Sequence, residues 1–236
     1  MDKSKLFLSC LITIIVLTTA ASAAWVPLTE LEPISSLPGG VLVVGDKEFS
    51  EFEVTGLAQG GALAPNADSV LIQGGQDDAT GNYGVRFRLD WTVGSNQTIN
   101  ANINFQVSIL PEYDEWFIED AVLFLAVAGA TGTGVVNASE NIYDADFLGN
   151  SLAALCSSRE TGDGGVNLID SSYFQIGGNP AQVKDIWVRT GIIITGGTGG
   201  TAQLSEVFEL YSQIPEPATV LLLGLGALAL LRKRRQ

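Results

Sequence analysis

The stretch that decides the fold is INANINFQVSI, residues Ile99–Ile109. Apolar and polar side chains alternate along it without a break. A period of two over this length predicts a β-strand with one face in a core and the other in water. The stretch YGVRFRLDW, residues Tyr83–Trp91, repeats the pattern: its aromatic and aliphatic residues are predicted to point inward, and Arg86, Arg88 and Asp90 outward.

Eight further strands are predicted around these two. Segments such as QGGQDDATGN and GGNP separate them, and glycine there supplies the positive φ of tight turns. The run AVLFLAVA, residues Ala121–Ala128, is apolar on both faces, which predicts a central strand covered on both sides. Many short strands without an amphipathic helix predict an all-β fold, a single antiparallel β-sandwich of jelly-roll-like type. The eight strands are Val41–Val44, Glu48–Val54, Ser69–Gln73, Ala121–Ala128, Gly134–Ile142, Leu168–Ile176, Val183–Thr195 and Leu204–Tyr211.

The composition limits the available chemistry. The 236-residue chain contains no histidine, which excludes metal sites and catalytic triads that rely on imidazole. Residues 24–214 hold 6 basic against 24 acidic residues, a net charge of −18. Such a body repels nucleic acid and anionic lipid, because both bind proteins through lysine and arginine.

The N-terminus has the features of an export signal. Two lysines precede an apolar run, Leu6–Leu17, and the small residues of Ala21–Ala23 follow it. This order predicts a signal peptide over residues 1–23, which signal peptidase removes after Ala23 or Ala24. A retained membrane helix is the alternative, although the apolar run is short for crossing a bilayer.

One cysteine, Cys156, remains after that cleavage. An exported protein with a single thiol has no internal disulfide, so a hydrophobic core must provide its stability. Cys156 follows the apolar residues Leu152–Leu155. We therefore predict a buried, unreactive thiol in preference to a reactive or cross-linking one.

The C-terminus, IPEPATVLLLGLGALALLRKRRQ, combines a short motif, an apolar span and a basic end. The uncharged residues 218–231 would extend ~21 Å as a helix, less than the ~30 Å hydrocarbon core, which predicts a marginal membrane anchor. The basic residues Arg232, Lys233, Arg234 and Arg235 predict a stop on the cytoplasmic side, with the body facing outward. The two prolines of IPEP predict an exposed, extended segment ahead of the span.

This arrangement resembles the PEP-CTERM sorting signal. The matching features are Pro215, Glu216 and Pro217, then the span through Leu231, then the basic end. The resemblance implies recognition by an exosortase, a membrane transpeptidase-like enzyme that cuts near the motif. It also implies a Gram-negative-type bacterium that makes extracellular polysaccharide, and a destination at the cell surface or in the extracellular matrix. The alternative is an ordinary tail anchor. The same tail is catalogued as an ice-binding protein C-terminal segment, which transfers no ice activity to the body.

The predicted organisation is a signal peptide (1–23), a β-sandwich ectodomain (24–213) and a sorting signal (214–236). The ectodomain resembles a loose group of PEP-CTERM ectodomains through the short segments VGDKEFSEFEV, NYGVRF, IEDAVLFL and VKDIWV. That resemblance implies an all-β exported body and leaves its activity open.

Acidic loop residues are the candidate calcium ligands. Asp77 and Asp78 share one glycine-containing loop, and Asp144, Asp146 and Asp163 lie in a second irregular region. Calcium takes oxygen ligands from flexible loops of this kind. No EF-hand spacing or regular calcium repeat is present, and solvated acidic loops are the alternative. No other cofactor is expected.

Aromatic residues in the acidic stretch PEYDEWFIED are the candidate glycan contacts. Tyr113 and Trp116 would form an exposed platform for a sugar ring, and burial of Trp116 in the core is the alternative. The run GGTGG, residues 196–200, lacks the lysine and serine of a phosphate-binding loop and predicts a hairpin turn.

Three classes of function remain. We expect a non-catalytic surface or matrix protein whose sandwich interacts with polysaccharide or with copies of itself. A dedicated carbohydrate-binding module is the first alternative. The second is a histidine-free glycan hydrolase or lyase, which needs a cleft with two facing carboxylates. Adjacent acids such as Asp77 and Asp78 occur often in so acidic a body, so they do not by themselves indicate such a cleft.

Overall fold

The computed structural model describes residues 25–160, 166–167 and 169–215. The predicted signal peptide, most of the predicted sorting signal and Asp163 lie outside these residues. Sixteen β-strands and three short 3-10 helices lie within them. The strands are β1 (Trp25–Pro27), β2 (Glu32–Pro33), β3 (Leu42–Val44), β4 (Lys47–Gln59), β5 (Leu71–Asp77), β6 (Tyr83–Val93), β7 (Thr98–Ile109), β8 (Trp116–Thr131), β9 (Val135–Tyr143), β10 (Ser151–Glu160), β11 (Val166–Asn167), β12 (Ile169–Tyr173), β13 (Gln175–Ile176), β14 (Asn179–Pro180), β15 (Asp185–Thr195) and β16 (Thr201–Pro215). The 3-10 helices are η1 (Ile34–Ser36), η2 (Pro38–Gly40) and η3 (Pro111–Tyr113).

Two antiparallel sheets pack as a sandwich, which confirms the predicted fold class. The first sheet has the order β1-β5-β6-β16-β8-β12, with β2 also paired to β5. The second has the order β11-β10-β9-β15-β7-β4-β3, and β13 with β14 forms a small separate pair. The last two long strands are central in their sheets, since β16 lies between β6 and β8 and β15 lies between β7 and β9.

The alternating stretches form the core as predicted. In β7 the side chains of Ile99, Ala101, Ile103, Phe105 and Val107 are buried. Phe105 contacts Phe49, Phe52 and Phe87, with ring centroids 5.6 to 6.3 Å apart. Aromatic contacts at such distances add roughly 0.5–1.5 kcal/mol each to the stabilisation from burial. The two sheets are therefore joined by aromatic packing around Phe105.

The outer face of the first sheet carries a second aromatic group. Phe208 of β16 lies between Trp25 and Phe124, with centroid distances of 5.1 and 5.9 Å. Phe124 is one of the half-buried outer residues of the run Ala121–Ala128, whose inner residues include the fully buried Leu123. This run is a central strand, between β16 and β12, and its outer face is half covered.

The strand pattern differs from expectation in several places. The short strands β1, β2, β11 and β14 were not expected from the sequence. Strand β10 was not expected either, because a β-bulge between Ser151 and Ala153 breaks its period of two. Residues Gly74–Asp77, predicted as part of a loop, belong to β5. Glycine is needed there because neighbouring groups pack closely against the strand. A Cβ at Gly75, for example, would lie 2.5 Å from the ring of Trp25.

The predicted burial of Cys156 is wrong. Beyond the bulge in β10, Leu155 and Ser157 point inward, so Cys156 between them is exposed. Its sulfur accepts a hydrogen bond from Nδ2 of Asn137 at 3.4 Å. The backbone N–H of Cys156 donates to Asp170 on neighbouring β12 at 2.8 Å.

Two glutamates face each other inside the sandwich. Glu140 of β9 and Glu209 of β16 are both completely buried. The hydroxyl of Tyr211 lies 3.2 Å from Oε1 of Glu140 and 3.0 Å from Oε2 of Glu209. Thr190 of β15 donates a hydrogen bond to Oε1 of Glu209 at 2.6 Å. These four side chains, which we call the acid cluster, connect the two sheets through polar contacts.

The acid cluster holds protons at mildly acidic pH. Burial raises the pKa of Glu209 to about 7. Burial, followed by the nearby Glu209 carboxylate, raises the pKa of Glu140 well above its usual range. The geometry agrees, because the hydroxyl of Tyr211 has one proton and lies between two carboxyl groups. If it donates to one of them, the other must be protonated in order to donate back.

The turn between β3 and β4 requires glycine at position 45. Gly45 has a φ of +61°, and a Cβ there would lie 2.5 Å from the ring of Tyr83. The aromatic ring therefore packs directly on this turn. The contact positions the next two residues, Asp46 and Lys47, at the start of β4.

The free energy of unfolding is expected to fall as the pH rises from about 4.5 to about 7. In this window the native state keeps protons on Glu140 and Glu209 that the unfolded chain has lost, so stability decreases with pH. Glu209 alone contributes roughly 3 kcal/mol of this change, at ~1.4 kcal/mol per pKa unit. Denaturant unfolding across the window measures the slope. Glu209→Gln should flatten it and Glu30→Gln, at an exposed site, should not; an unchanged slope in Glu209→Gln would contradict the assignment.

Gly45→Ala is expected to destabilise the protein more than Gly39→Ala does. Both glycines have a similar positive φ, +61° and +66°, but a Cβ at Gly39 has no atom within 4 Å. The Gly39 variant therefore measures the backbone strain alone, about 1 kcal/mol. The Gly45 variant must in addition displace Tyr83, at a further cost of about 1–3 kcal/mol. Thermal unfolding of both variants checks the difference, and equal costs would show that the ring moves freely.

Candidate functional site

A cavity of about 200 Å³ opens at one end of the sandwich. It lies where β4, β6 and β8 begin and where β16, antiparallel to β6 and β8, ends. Residues of both sheets line it, so we call it the end cavity. The lining residues are Lys47, Gly81, Asn82, Tyr83, Trp116, Tyr211 and Gln213.

A buried lysine forms part of the lining. The side chain of Lys47 is only 1% exposed, and its Nζ forms an ion pair with Oδ1 of Asp46 at 2.8 Å. Nζ also donates to Oε1 of Gln213 at 2.7 Å and lies 5.6 Å from the ring centroid of Tyr83. Burial lowers the pKa of Lys47, and the carboxylate of Asp46 opposes that shift. The ion pair leaves this side of the cavity with little net charge.

The aromatic walls of the end cavity are held by contacts behind them. Tyr211 is completely buried, and its hydroxyl is fixed by Glu140 and Glu209 of the acid cluster. Tyr83 packs on the turn at Gly45. Trp116 is half-buried. The cavity therefore has two rigid walls and one aromatic side chain that reaches the surface.

The structure separates the two predicted glycan contacts. Trp116 lines the end cavity, but Tyr113 lies in η3, 39% exposed, and is not part of the lining. Sequence reasoning did not single out Lys47 or Gln213. A signal for Lys47 was present, since it is one of only six basic residues between positions 24 and 214 and follows a glycine turn.

The candidate calcium ligands stabilise their own loops. Asp77 is buried and accepts hydrogen bonds from the backbone of Ala79 and the hydroxyl of Thr80. Asp144 accepts two from Asn150, at 2.6 and 2.8 Å. Asp78 and Asp146 are exposed.

Calcium binding remains a prediction. Within residues 25–160, 166–167 and 169–215, no three acidic or cysteine side chains are placed to hold a metal ion. Asp163 lies outside the part of the chain that the structure describes.

A wider groove lies at the edge of the second sheet, where β3 stops and β4 continues. It has a volume of about 550 Å³ and includes Glu48, Glu51, Phe52 and Gln106 in its lining. A β-bulge in β4 between Ser50 and Glu53 forms this edge. Glu51 has a φ of +55° there, an unusual conformation for a residue with a side chain.

The two carboxyl groups of the acid cluster have no contact with solvent. Glu140 and Glu209 are each 0% exposed. A glycan hydrolase needs its two carboxyl groups on either side of a bound sugar. In this conformation the pair offers no cleft to a saccharide.

The last strand leads directly into the predicted sorting motif. Ile214 and Pro215 of β16 pair with Phe117 and Trp116 of β8. The strand therefore passes the predicted end of the ectodomain, residue 213, by two residues. Among the residues described, no helix is long and apolar enough to cross a membrane. The predicted span, 218–231, lies outside them.

Two solved structures show a distant similarity in fold. One is the enzymatically active domain of tailspike protein 4 of bacteriophage CBA120, at 16% identity and a TM-score of 0.28, covering 70% of this chain. This match spans only 20% of the tailspike chain. The other is the family 11 carbohydrate-binding module of a cellulosomal cellulase of Clostridium thermocellum, at 10% identity and a TM-score of 0.24. It covers 67% of this chain and 86% of that module.

At the level of sequence, the match is confined to the C-terminus. No curated protein matches the chain. Residues 213–235 match the PEP-CTERM protein-sorting motif. The resemblance of the tail is thereby confirmed: the chain carries a PEP-CTERM protein-sorting motif, which implies an exported surface protein that an exosortase processes at its C-terminus.

Proposed function

We propose that this protein is a non-catalytic component of the cell surface or extracellular matrix, whose sandwich binds extracellular polysaccharide. The observation that carries the proposal is the course of β16. This strand supplies Tyr211 and Gln213 to the end cavity and continues to Pro215, the first residue of the Pro-Glu-Pro motif. The body is thus joined to the sorting motif without a linker and is delivered with it.

Two features support binding in preference to hydrolysis. The chain has no histidine, and the facing carboxyl groups of Glu140 and Glu209 are enclosed in the core. In contrast, the half-buried Trp116 is available at the mouth of the end cavity. An aromatic ring in such a position packs against the C–H face of a sugar while its surroundings supply hydrogen bonds.

Association with copies of itself is the second candidate. Strand β12 is an edge of the first sheet, and its Ile169 and Tyr173 are 58% and 64% exposed. An edge strand with exposed apolar side chains can pair with a strand of another molecule. This contact would build a matrix from protein alone.

Processing of the tail is expected to remove its basic end. When the full-length chain is expressed in a host that has the exosortase, mass spectrometry of the mature protein should show a C-terminus without Arg232–Gln236. Replacement of Pro215, Glu216 and Pro217 by alanine should leave the tail intact, because the recognition motif is lost. An intact tail in the unaltered protein would contradict processing by this route.

The processed protein is expected to co-sediment saturably with the extracellular polysaccharide of the producing organism. Binding that remains when a chelator removes calcium would indicate a contact that does not involve the acidic loops. Binding that requires calcium would implicate the loops of Asp77 and Asp144. Absence of binding with and without calcium would contradict the polysaccharide proposal and favour association through β12. Analytical ultracentrifugation of the same sample tests that alternative.

A further inference from the structure

We propose that the end cavity is a pocket for one neutral sugar ring at the end of a polysaccharide chain. The ligand class rests on the proposed function, whereas the size, the charge and the half-enclosed shape come from the cavity itself.

The size of the cavity selects a small ligand. Sites for drug-sized molecules have volumes of ~300–1,000 Å³. The end cavity, at about 200 Å³, is smaller and suits a single monosaccharide ring. The groove beside β4 is more than twice as large, so it is the place for a longer segment.

The lining matches the two kinds of surface that a sugar ring presents. Aromatic rings of Tyr83, Trp116 and Tyr211 offer apolar faces to the C–H groups of the ring. The side-chain amides of Asn82 and Gln213 offer donors and acceptors to its hydroxyl groups.

The charges around the cavity favour a neutral sugar over an acidic one. Lys47 is the basic residue of the lining, and its ammonium is already paired with Asp46 at 2.8 Å. The rest of the body carries a large excess of acidic residues. The carboxylate of a uronate would lose water in the cavity and find no unpaired cation there. Such desolvation of an unpaired charge costs free energy, so a uronate is expected to bind less well.

The half-enclosed shape of the cavity favours a chain end. Lys47 and Tyr211, 1% and 0% exposed, form its inner part, and the half-buried Trp116 stands nearer the surface. Both sheets contribute to the lining, so the ligand enters at the end of the sandwich and does not lie along a sheet face. A polysaccharide can then insert its terminal ring into the inner part of the cavity.

The pocket is also preorganised. Hydrogen bonds fix Lys47 to Asp46 and Gln213, and the acid cluster fixes Tyr211. Side chains that are already ordered lose little conformational entropy when a ligand binds. This small entropy loss matters for a ligand the size of one sugar ring, because such a ligand makes few contacts.

The test is calorimetric titration of the full-length chain, solubilised in a zwitterionic detergent, since maltoside and glucoside detergents are themselves sugars. The probes are glucose, galactose, mannose, N-acetylglucosamine and glucuronate, followed by the extracellular polysaccharide of the producing organism. We expect saturable binding of at least one neutral monosaccharide, and weaker binding of glucuronate by tenfold or more. Glucuronate bound as tightly as the neutral sugars would overturn the proposed ligand class.

Matched variants locate the contact. Trp116→Ala and Asn82→Ala should each weaken monosaccharide binding about tenfold or more, since each loses a contact worth about that factor. Asn100→Ala, at an exposed position of β7, should leave binding unchanged. Asn82 lies in a loop before β6, so its variant keeps the test valid if Trp116→Ala does not fold. Loss in Tyr113→Ala with normal binding in Asn82→Ala would place the contact outside the cavity and overturn the inference.

The outcomes separate this inference from the proposed function. If the polysaccharide binds but no monosaccharide does, the chain-end pocket is wrong and polysaccharide binding stands. If neither the polysaccharide nor any monosaccharide binds, both the proposed polysaccharide binding and the proposed sugar pocket are wrong.

Discussion

The relative position of the two sheets depends on the hydrogen bonds that Tyr211 makes in the middle of the sandwich. Its hydroxyl belongs to the first sheet and meets Glu140 of the second, while Glu209 beside it meets Thr190. Apolar contacts would tolerate a small slide between the sheets, but buried polar groups lose their partners when they slide. The acid cluster therefore fixes the register of the sandwich, and with it the walls of the end cavity that Tyr211 forms.

Much of the fold could be predicted because alternation is a local signal. The period of two in β6 and β7 is visible in the sequence, and it sorts inner from outer residues correctly. It fails where one residue breaks the period, as at the bulge before Ala153 in β10. The burial predicted for Cys156 rested on the apolar residues that precede it in the chain, whereas β10 turns this side chain outward. It fails again at Gly75, because glycine signals both a turn and a place where Trp25 comes close.

The candidate site was less predictable because its members are distant in sequence. Trp116 stood out as an aromatic residue in a polar stretch, but Lys47, Tyr83 and Gln213 meet it only when strands of both sheets are assembled. Hydrophobicity even misleads in β16. The apolar Phe208 packs on the outer face with Trp25, whereas the acidic Glu209 beside it points into the core.

The central position of β16 makes residues 201–215 the last strand that the first sheet needs for folding. An exported chain crosses the membrane from its N-terminus, so β6 and β8 are exported before β16. Each of them has one unpaired edge until residues 201–215 pair between them. The sorting motif follows within the same few residues. Completion of the sheet and delivery of the motif thus become one step in secretion. A chain that stops before residue 201 would lose both β16 and the motif.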